Sequence, residues 1–278
     1  MTKTKLILIE GIPGSGKSTT AEMVEQVLNI LQIPAELYLE GNLDHPADYD
    51  RVSYFTQNAF SNLLEQYNQW SESINLASAP HNDGFLMKQN LIEQAKLPHS
   101  LIEEIRKRDI YELPLEEHID LLLERWETFS KKARLEDKIY IFECCFIQNP
   151  ITIGTIKYGA KNDSVMNYIQ RLAQIIEPLH PILFYVEQKD LRKSFTKAMA
   201  ERPKEWSEGF IDYYNNQGLG KKMRAEGIEG TLAILEERRK LEYQVIQELK
   251  MDTYRLDNSA FDKQYHYKIL QDILSKAE

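Results

Sequence analysis

Cysteine is scarce in this sequence of 278 residues, and the only two cysteines, Cys144 and Cys145, are adjacent. Neighbouring cysteines are poorly placed to join distant segments, so we do not expect a fold held together by disulfide bonds. The first residues lead directly into the apolar run at residues 6–9, so we expect no signal peptide. Together these features predict a reduced, cytoplasmic compartment.

An excess of basic charge is also lacking, because 34 Lys and Arg residues stand against 43 Asp and Glu residues and give a net charge of -9. Nucleic-acid affinity depends on neutralising many phosphates, so the composition argues against a nucleic-acid partner. Hydrophobic residues make up 42% and charged residues 28% of the sequence, which is typical of a soluble protein and does not indicate a membrane partner. The six histidines and two cysteines show no metal-binding spacing.

The sequence does contain a glycine-rich stretch, KLILIEGIPGSGKSTT, that satisfies the phosphate-loop pattern G-x-x-x-x-G-K-[ST]. Glycines let successive backbone N–H groups turn towards a phosphate, and the helix that follows points its positive end at the same anion. Lys17 adds a cation for the outer phosphates, and Ser18 offers a hydroxyl to Mg²⁺. The residues expected to bind the nucleotide are Gly11, Ile12, Pro13, Gly14, Ser15, Gly16, Lys17, Ser18 and Thr19.

Strands are predicted at residues 6–9, 35–39, 138–142, 181–186 and 253–256, and the first of them is a short all-apolar run, as expected of a parallel strand that is buried on both faces. Helical patterns separate them, so we expect an α/β protein with the three-layer P-loop NTPase fold, a five-stranded parallel sheet flanked by helices. Residues 1–278 are interpreted as one such domain. Loops are predicted at residues 147–162 and 209–230, and helices at 164–176, 231–249 and 261–274.

About ninety residues without a convincing strand lie between the second and third strands, which predicts a helical, substrate-binding insertion at about 51–137. We expect helices at 50–70, 85–95 and 100–108, a loop at 71–83, and a long helix that begins at Pro114. The aromatic residues of the insertion recur at helical spacing, which favours core packing over stacking on a flat substrate. They are Tyr54, Phe55, Phe60, Trp70 and Trp126.

Two acids follow predicted strands at the edge of the sheet where ligands bind. Glu143 ends the run IYIF and is the candidate metal ligand, together with Ser18; the alternative is a buried acid with a structural partner. Glu40 follows the second strand and is the candidate general base for a substrate hydroxyl, with Asp44 as a second choice. The alternative for Glu40 is a solvated loop carboxylate.

A local excess of basic residues begins at Lys189 and ends at Lys204 in this otherwise acidic protein. It predicts a lid at about 189–230 that closes over the transferring phosphate, with Arg202 or Arg192 as an arginine finger. A solvated helix face is the alternative for most of these side chains.

The run IEGIPGSGKST, with a glutamate before its first glycine, resembles the phosphate loop of thymidylate kinases and deoxynucleoside kinases. The resemblance implies a nucleoside or nucleotide acceptor, Glu40 in the place of the base, Glu143 in the place of the acid after the third strand, and Arg202 as a lid arginine. One position departs from the pattern: those families follow the acid with arginine, and this chain has Cys144.

The sequence therefore predicts a Mg²⁺-dependent small-molecule kinase, in which Lys17, Glu40, Glu143, Arg202 and Arg192 carry the transfer of the γ-phosphate of ATP. The alternative is a nucleotide-dependent regulatory ATPase whose insertion binds a protein partner. A typical GTPase is disfavoured, because the N-K-x-D pattern is absent. The acceptor, the choice between ATP and GTP, and the formation of a homodimer are left open.

Overall fold

The computed structural model describes residues 4–94 and 97–276. Its strands are β1 (Leu6–Gly11), β2 (Ala35–Tyr38), β3 (Val52–Thr56), β4 (Ser78–His81), β5 (Gly84–Lys88), β6 (Ile139–Glu143), β7 (Ile182–Glu187) and β8 (Asp252–Asp257). Its α-helices are α1 (Lys17–Ile30), α2 (Gln57–Gln66), α3 (Ser71–Leu76), α4 (Gln89–Gln94), α5 (His99–Arg106), α6 (Leu115–Ala133), α7 (Gln148–Ile151), α8 (Asn162–Ile176), α9 (Leu191–Glu201), α10 (Lys204–Asn216), α11 (Gly218–Met223), α12 (Gly227–Glu248) and α13 (Lys263–Leu274). Short 3-10 helices span Asn68–Trp70, Ile110–Glu112 and Glu177–Leu179, and a π-helix spans Thr152–Lys157.

The chain divides into two compact units, the first formed by residues 1–40 and 125–278 and the second by residues 41–124. The first unit contains a five-stranded sheet in the order β2-β6-β1-β7-β8, and every neighbouring pair is parallel. All five predicted strands are confirmed to within two residues. Their carboxyl ends lie at one edge, where β1 passes into the phosphate loop and β6 ends at Glu143.

Helices cover both faces of this sheet, which confirms the predicted three layers. On one face, Ile7 and Ile9 of β1 pack in a common cluster with Val24 of α1 and Leu270 of α13. On the other face, Phe142 of β6 contacts Trp126 and Phe129 of α6 with ring centroids 5.8 and 4.7 Å apart. Strands covered on both faces must be apolar throughout, which is why β1 and β6 read as continuous hydrophobic runs.

The second unit contains a three-stranded antiparallel sheet in the order β3-β5-β4, together with α2 to α5 and the first part of α6. The prediction of a region without strands is therefore wrong. The predicted helix at 50–70 starts only at Gln57, after β3; the predicted loop at 71–83 contains α3 and β4; and the predicted helix at 85–95 is β5 followed by α4. Ala95, the last residue of the predicted helix at 85–95, lies outside the described residues.

The feature that the sequence analysis missed is a hairpin, in which Asn82 and Asp83 join β4 to β5. Asn82 has a φ of 49°, in the left-handed region that such tight turns require. The expected packing role of the aromatic residues is confirmed for Phe55 and Phe60, which are buried in the cluster of this unit, and for Trp126, which is buried in the first unit.

Two predicted loops of the first unit are largely helical. Residues 148–157 form α7 and the π-helix, which residues 158–161 connect to α8, and residues 209–230 contain the end of α10, α11 and the start of α12. Glycine and proline suggested loops, but a single glycine costs a helix only about 1 kcal/mol, and Pro150 lies in the first turn of α7, where no backbone N–H is needed. Among the described residues, no helix combines the length and apolar composition needed to cross a membrane.

Candidate active site

The phosphate loop lies between the end of β1 and the start of α1. Gly14 and Gly16 have φ values of 78° and 99°, in the region that favours glycine. A Cβ at Gly14 would lie 2.7 Å from the backbone oxygen of Ser194, and one at Gly16 would lie 2.5 Å from Asn258 Nδ2. The glycines are therefore required both by the backbone conformation and by the close approach of α9 and of the segment after β8.

Lys17 is buried at the first position of α1, and its Nζ donates a hydrogen bond to the backbone oxygen of Ile12 at 3.1 Å. Burial acts to lower the pKa of Lys17, but the neighbouring side chains of Cys144, Glu40 and Glu143 act to raise it, and the net pKa is raised. The side chain therefore remains a cation. It folds back over the loop, where a bound phosphate would meet it.

Ser18 and Glu143 form the centre of the site. Ser18 Oγ donates to Glu143 Oε1 at 2.7 Å, and the backbone N–H of Glu40 donates to the other carboxylate oxygen at 3.3 Å. Glu143 is buried at the end of β6, and a buried carboxylate needs such partners or a metal ion.

The donor set fits Mg²⁺. The side chains of Glu40, Glu143 and Cys144 place one ligand atom each within 4.8 Å of one another. The carboxylate oxygens and the Ser18 hydroxyl are the hard ligands that Mg²⁺ prefers, and the sulfur is not. Glu143 and Ser18 would therefore hold the ion, with Glu40 within reach of its shell. The loop fits a nucleotide phosphate as well, since the buried Ser15 hydroxyl has no hydrogen-bond partner among the described residues.

Glu40 is exposed and is held by two donors. Gln148 Nε2 donates to Glu40 Oε1 at 3.0 Å, and the thiol of Cys144 donates to Glu40 Oε2 at 3.5 Å. Asp44, the second candidate for the base, belongs to the second unit, where it pairs with Lys88 at 2.8 Å.

Cys144 occupies the position where the resemblance expects arginine. It is fully buried with a φ of 71°, and burial raises the pKa of its thiol well above the ordinary value. The thiol is therefore neutral at physiological pH, and the end of β6 supplies no cation. Neither cysteine forms a disulfide bond.

Glu10, immediately before the first glycine of the loop, fixes the segment that follows Glu143. Its carboxylate is fully buried and accepts the backbone N–H groups of Phe146, Ile147 and Gln148 at 2.8, 3.0 and 2.9 Å. Burial raises the pKa of Glu10 to about 7, although the three hydrogen bonds act to lower it. Glu10 thereby positions Gln148, which in turn orients Glu40.

Two cavities open beside Lys17. The first cavity has a volume of about 420 Å³ and lies over the phosphate loop, with walls that include Ser18, Glu143, Lys197 and Lys263. The second cavity, of about 490 Å³, is bordered by α7, α10 and α12. Three residues line both cavities: Lys17, Glu40 and Arg202.

The structure separates the two candidate arginine fingers. Arg202 follows α9, lines both cavities and lies over the ring of Trp206, with its guanidinium carbon 4.2 Å from the ring centre. Arg192 lies on α9, lines neither cavity, and forms an exposed bidentate pair with Glu229 at 2.7 and 2.5 Å. Arg202 therefore shares its cavities with Lys17 and Glu40, and Arg192 does not.

Several residues of the site were not predicted from the sequence. Asn258 follows β8, and its Nδ2 donates to the backbone oxygen of Ser15 at 2.7 Å. Its position just after the fifth predicted strand was the available signal. Lys263 and His266, both on α13, line the first cavity, and His266 Nε2 lies 2.9 Å from Thr20 Oγ1.

A buried arginine in α12 was also missed. Arg238 is 1% exposed; its Nε pairs with Glu242 at 2.7 Å, and its Nη1 donates to the hydroxyl of Tyr214 at 2.8 Å. In the sequence, Arg and Glu four residues apart on a helix look like an ordinary surface pair.

Comparison with known proteins finds similarity only among solved structures. No family model matches the chain, and no curated protein matches it. Thymidylate kinase from Ehrlichia chaffeensis is 15% identical, with 98% of each chain covered and a TM-score of 0.43. An inferred kinase from Chloroflexus aurantiacus is 12% identical, with 99% of each chain covered and a TM-score of 0.38. The chain's own parallel sheet, with a glycine-rich phosphate loop between β1 and α1, gives it a P-loop α/β fold.

Proposed function

We propose that the protein is a Mg²⁺-dependent phosphotransferase that moves the γ-phosphate of ATP to a hydroxyl or phosphate oxygen of a small molecule, most simply a nucleoside or nucleotide. The observation that carries the proposal is the pair of cavities that share Lys17, Glu40 and Arg202. A phosphoryl group that passes from one cavity to the other would cross the position of these three side chains.

In this proposal the loop amides and Lys17 bind the phosphates of ATP, which occupy the first cavity. Ser18 and Glu143, whose side-chain oxygens are hydrogen-bonded to each other, would hold Mg²⁺, and the bound ion would supply positive charge that offsets the charge of the phosphates.

Glu40 takes the proton of an acceptor hydroxyl. The acceptor oxygen forms a bond to the γ-phosphorus while the bond between that phosphorus and the β,γ-bridging oxygen breaks, and ADP leaves with the electron pair. Gln148 and Cys144 keep the Glu40 carboxylate oriented through this step. Arg202 contributes the cation that balances the charge of the transferred group.

The helices from α9 to the start of α12 act as the lid in this proposal. Phe195 of α9 and Tyr214 of α10 share a hydrophobic cluster with Ile12 of the phosphate loop. Closure of these helices would exclude water, which otherwise competes with the acceptor. A cytoplasmic location is also part of the proposal, and it agrees with two cysteines that form no disulfide bond.

The experiment is ADP release from Mg·ATP by the purified protein, measured against nucleosides, nucleoside monophosphates and other hydroxyl compounds. Lys17→Ala is the blank. Glu40→Gln should bind ATP but lose transfer to a hydroxyl by about 10²-fold or more, since a positioned base contributes about 10²–10⁴-fold. Glu22→Gln, the same change on the exposed face of α1, is the matched control and should behave as wild type.

An acceptor that accelerates ADP release and gains a phosphate by mass spectrometry supports the kinase. Slow ADP release that no acceptor changes would instead favour a regulatory ATPase. Unchanged nucleotide binding in Lys17→Ala would refute both.

A further inference from the structure

A thiol lies beside the two carboxylates of the candidate active site. Cys144 Sγ, one oxygen of Glu40 and one oxygen of Glu143 are all within 4.8 Å of one another. Cys144 and Glu143 are buried, whereas Glu40 is exposed. Both carboxylates line the first cavity, so an ion in that cavity can reach the group. The proposed Mg²⁺ site uses oxygen ligands and leaves the sulfur without a role towards a metal.

The spacing of the sulfur and the nearer carboxylate fits a softer ion. Cys144 Sγ and Glu40 Oε2 are 3.5 Å apart. A zinc ion with a bond of about 2.3 Å to sulfur and one of about 2.0 Å to oxygen, at a tetrahedral angle, also places these two ligand atoms about 3.5 Å apart. The pair therefore has the separation that a shared zinc ion requires. The oxygen of Glu143 lies within 4.8 Å of both atoms and is available as a third ligand.

The charge of the group also suits a divalent cation. When a metal binds, the thiol proton leaves to solvent, so the thiolate and the two carboxylates carry three formal negative charges. Lys17, which interacts electrostatically with all three side chains, supplies one positive charge. Two negative charges then remain, which one divalent ion neutralises. Three protein ligands leave the fourth position of a tetrahedral ion open to water or a phosphate oxygen.

We propose that Cys144, Glu40 and Glu143 form a site for a thiophilic divalent cation of the zinc class, and that this cation inhibits phosphoryl transfer. The ion takes Glu40, the proposed base, and Glu143, the proposed ligand of Mg²⁺. It therefore blocks proton removal and competes with Mg²⁺. Cys144 selects the ion, because magnesium does not favour sulfur. The metal site follows from the geometry of the three side chains, and its inhibitory effect rests on the proposed kinase function.

The binding test uses Co²⁺, a spectroscopic substitute for Zn²⁺, on the full chain without nucleotide. Cobalt bound to a thiolate gives a sulfur-to-cobalt charge-transfer band, and the sequence offers only Cys144 and Cys145 as its source. Cys144→Ser and Cys145→Ser form a matched pair, with the same substitution at adjacent buried positions. Circular dichroism and thermal melting establish that each variant is folded.

We expect the band in wild type and in Cys145→Ser, and no band in Cys144→Ser. By calorimetry, Cys145→Ser should bind Zn²⁺ within twofold of wild type, and Cys144→Ser at least a hundredfold more weakly. Glu40→Gln should keep the band but bind Zn²⁺ at least tenfold more weakly.

Absence of the band in wild type overturns the site, as does a band that Cys145→Ser removes. These two results do not depend on the folding of Cys144→Ser, because Cys144 is the only sulfur ligand left in Cys145→Ser. A Cys144→Ser variant that is folded and binds Zn²⁺ as wild type does would show that the thiol is only a hydrogen-bond donor to Glu40.

Inhibition is measured as ADP release from Mg·ATP with the best acceptor, at free Zn²⁺ fixed by a zinc buffer. At ten times the wild-type Kd for Zn²⁺ and low Mg²⁺, transfer by wild type should fall about tenfold, and added Mg²⁺ should restore it. Cys144→Ser should lose less than twofold of its own zinc-free rate. Zn²⁺ that binds through Cys144 and leaves transfer unchanged overturns the inhibition. If the band depends on Cys144 and no acceptor is ever phosphorylated, the kinase and the inhibition are both refuted, while the metal site is retained.

Discussion

Replacing Glu10 with Gln should change the pH dependence of stability. The carboxyl is fully buried, and its pKa in the folded protein is raised from 4.5 to about 7. Below pH 4.5 the Glu10 carboxyl is protonated in both the folded and the unfolded state. Between pH 4.5 and about pH 7, the carboxyl loses its proton in the unfolded chain but keeps it in the folded protein. The free energy of unfolding therefore falls as the pH rises through this range, and it levels off above about pH 7.

The size of the effect follows from these two pKa values. Between about pH 5 and about pH 8, wild type should lose about 2.5 kcal/mol of stability through Glu10 alone, and Glu10→Gln should lose none of it. The variant also leaves the backbone N–H of Gln148 facing an amide NH₂, a cost of about 1–3 kcal/mol that does not vary with pH. Relative to wild type, the variant should therefore be most destabilised at the acid end.

Urea unfolding at both pH values gives the difference in free energy between variant and wild type, in which all other titrating groups cancel. Glu22→Gln, at an exposed position of α1, serves as the control and should follow wild type at both pH values. A difference between Glu10→Gln and wild type that is the same at both pH values would refute the raised pKa of Glu10.

Three further outcomes are expected. Ser18→Ala removes the hydroxyl that bonds Glu143, and a Mg²⁺ titration of ADP release should show about a tenfold higher half-saturating concentration. Arg202→Gln should lower kcat by about 10³-fold, as loss of an arginine finger does, whereas Arg192→Gln, whose side chain pairs with Glu229, should change kcat less than about tenfold. Lys263→Ala should raise the KM for ATP about threefold, and the effect should shrink when the assay is repeated in high salt.

The parts of the fold that sequence predicted are those encoded by local patterns. Strands β1 and β6 begin with continuous apolar runs, and the glycines of the phosphate loop have a fixed spacing, so β1, β6 and the loop could be predicted from short windows. The second unit was not predicted correctly, because the prediction followed the helical spacing of the apolar residues between 52 and 67, although the β-branched and aromatic residues at 52–56 favour a strand. There the pairing of β3 with β5 decides the conformation.

The site shows the same division. Lys17, Ser18 and Glu143 follow from a motif and a strand end, and the structure brings them together. Gln148 and Arg238 carry no comparable signal, since their importance lies in contacts with residues more than twenty positions away. The ion pair of Arg238 and Glu242 differs from an ordinary surface pair only because the fold removes both side chains from water, and the sequence does not show that burial.

The neutral thiol of Cys144 determines where the positive charge around a transferring phosphate must come from. At the end of β6, Glu143 is followed by a side chain that burial keeps uncharged. A triphosphate carries more negative charge than Lys17 can offset alone. The remaining cations that reach the site from the lid are Lys197 and Arg202, at the end of α9 and just after it. In the proposed kinase, the charge that an arginine at the end of β6 would have fixed in the core of the sheet would thus come from these lid side chains and from Lys263 of α13. Transfer in this protein should therefore depend on the position of α9 more than it would if the core itself provided that cation.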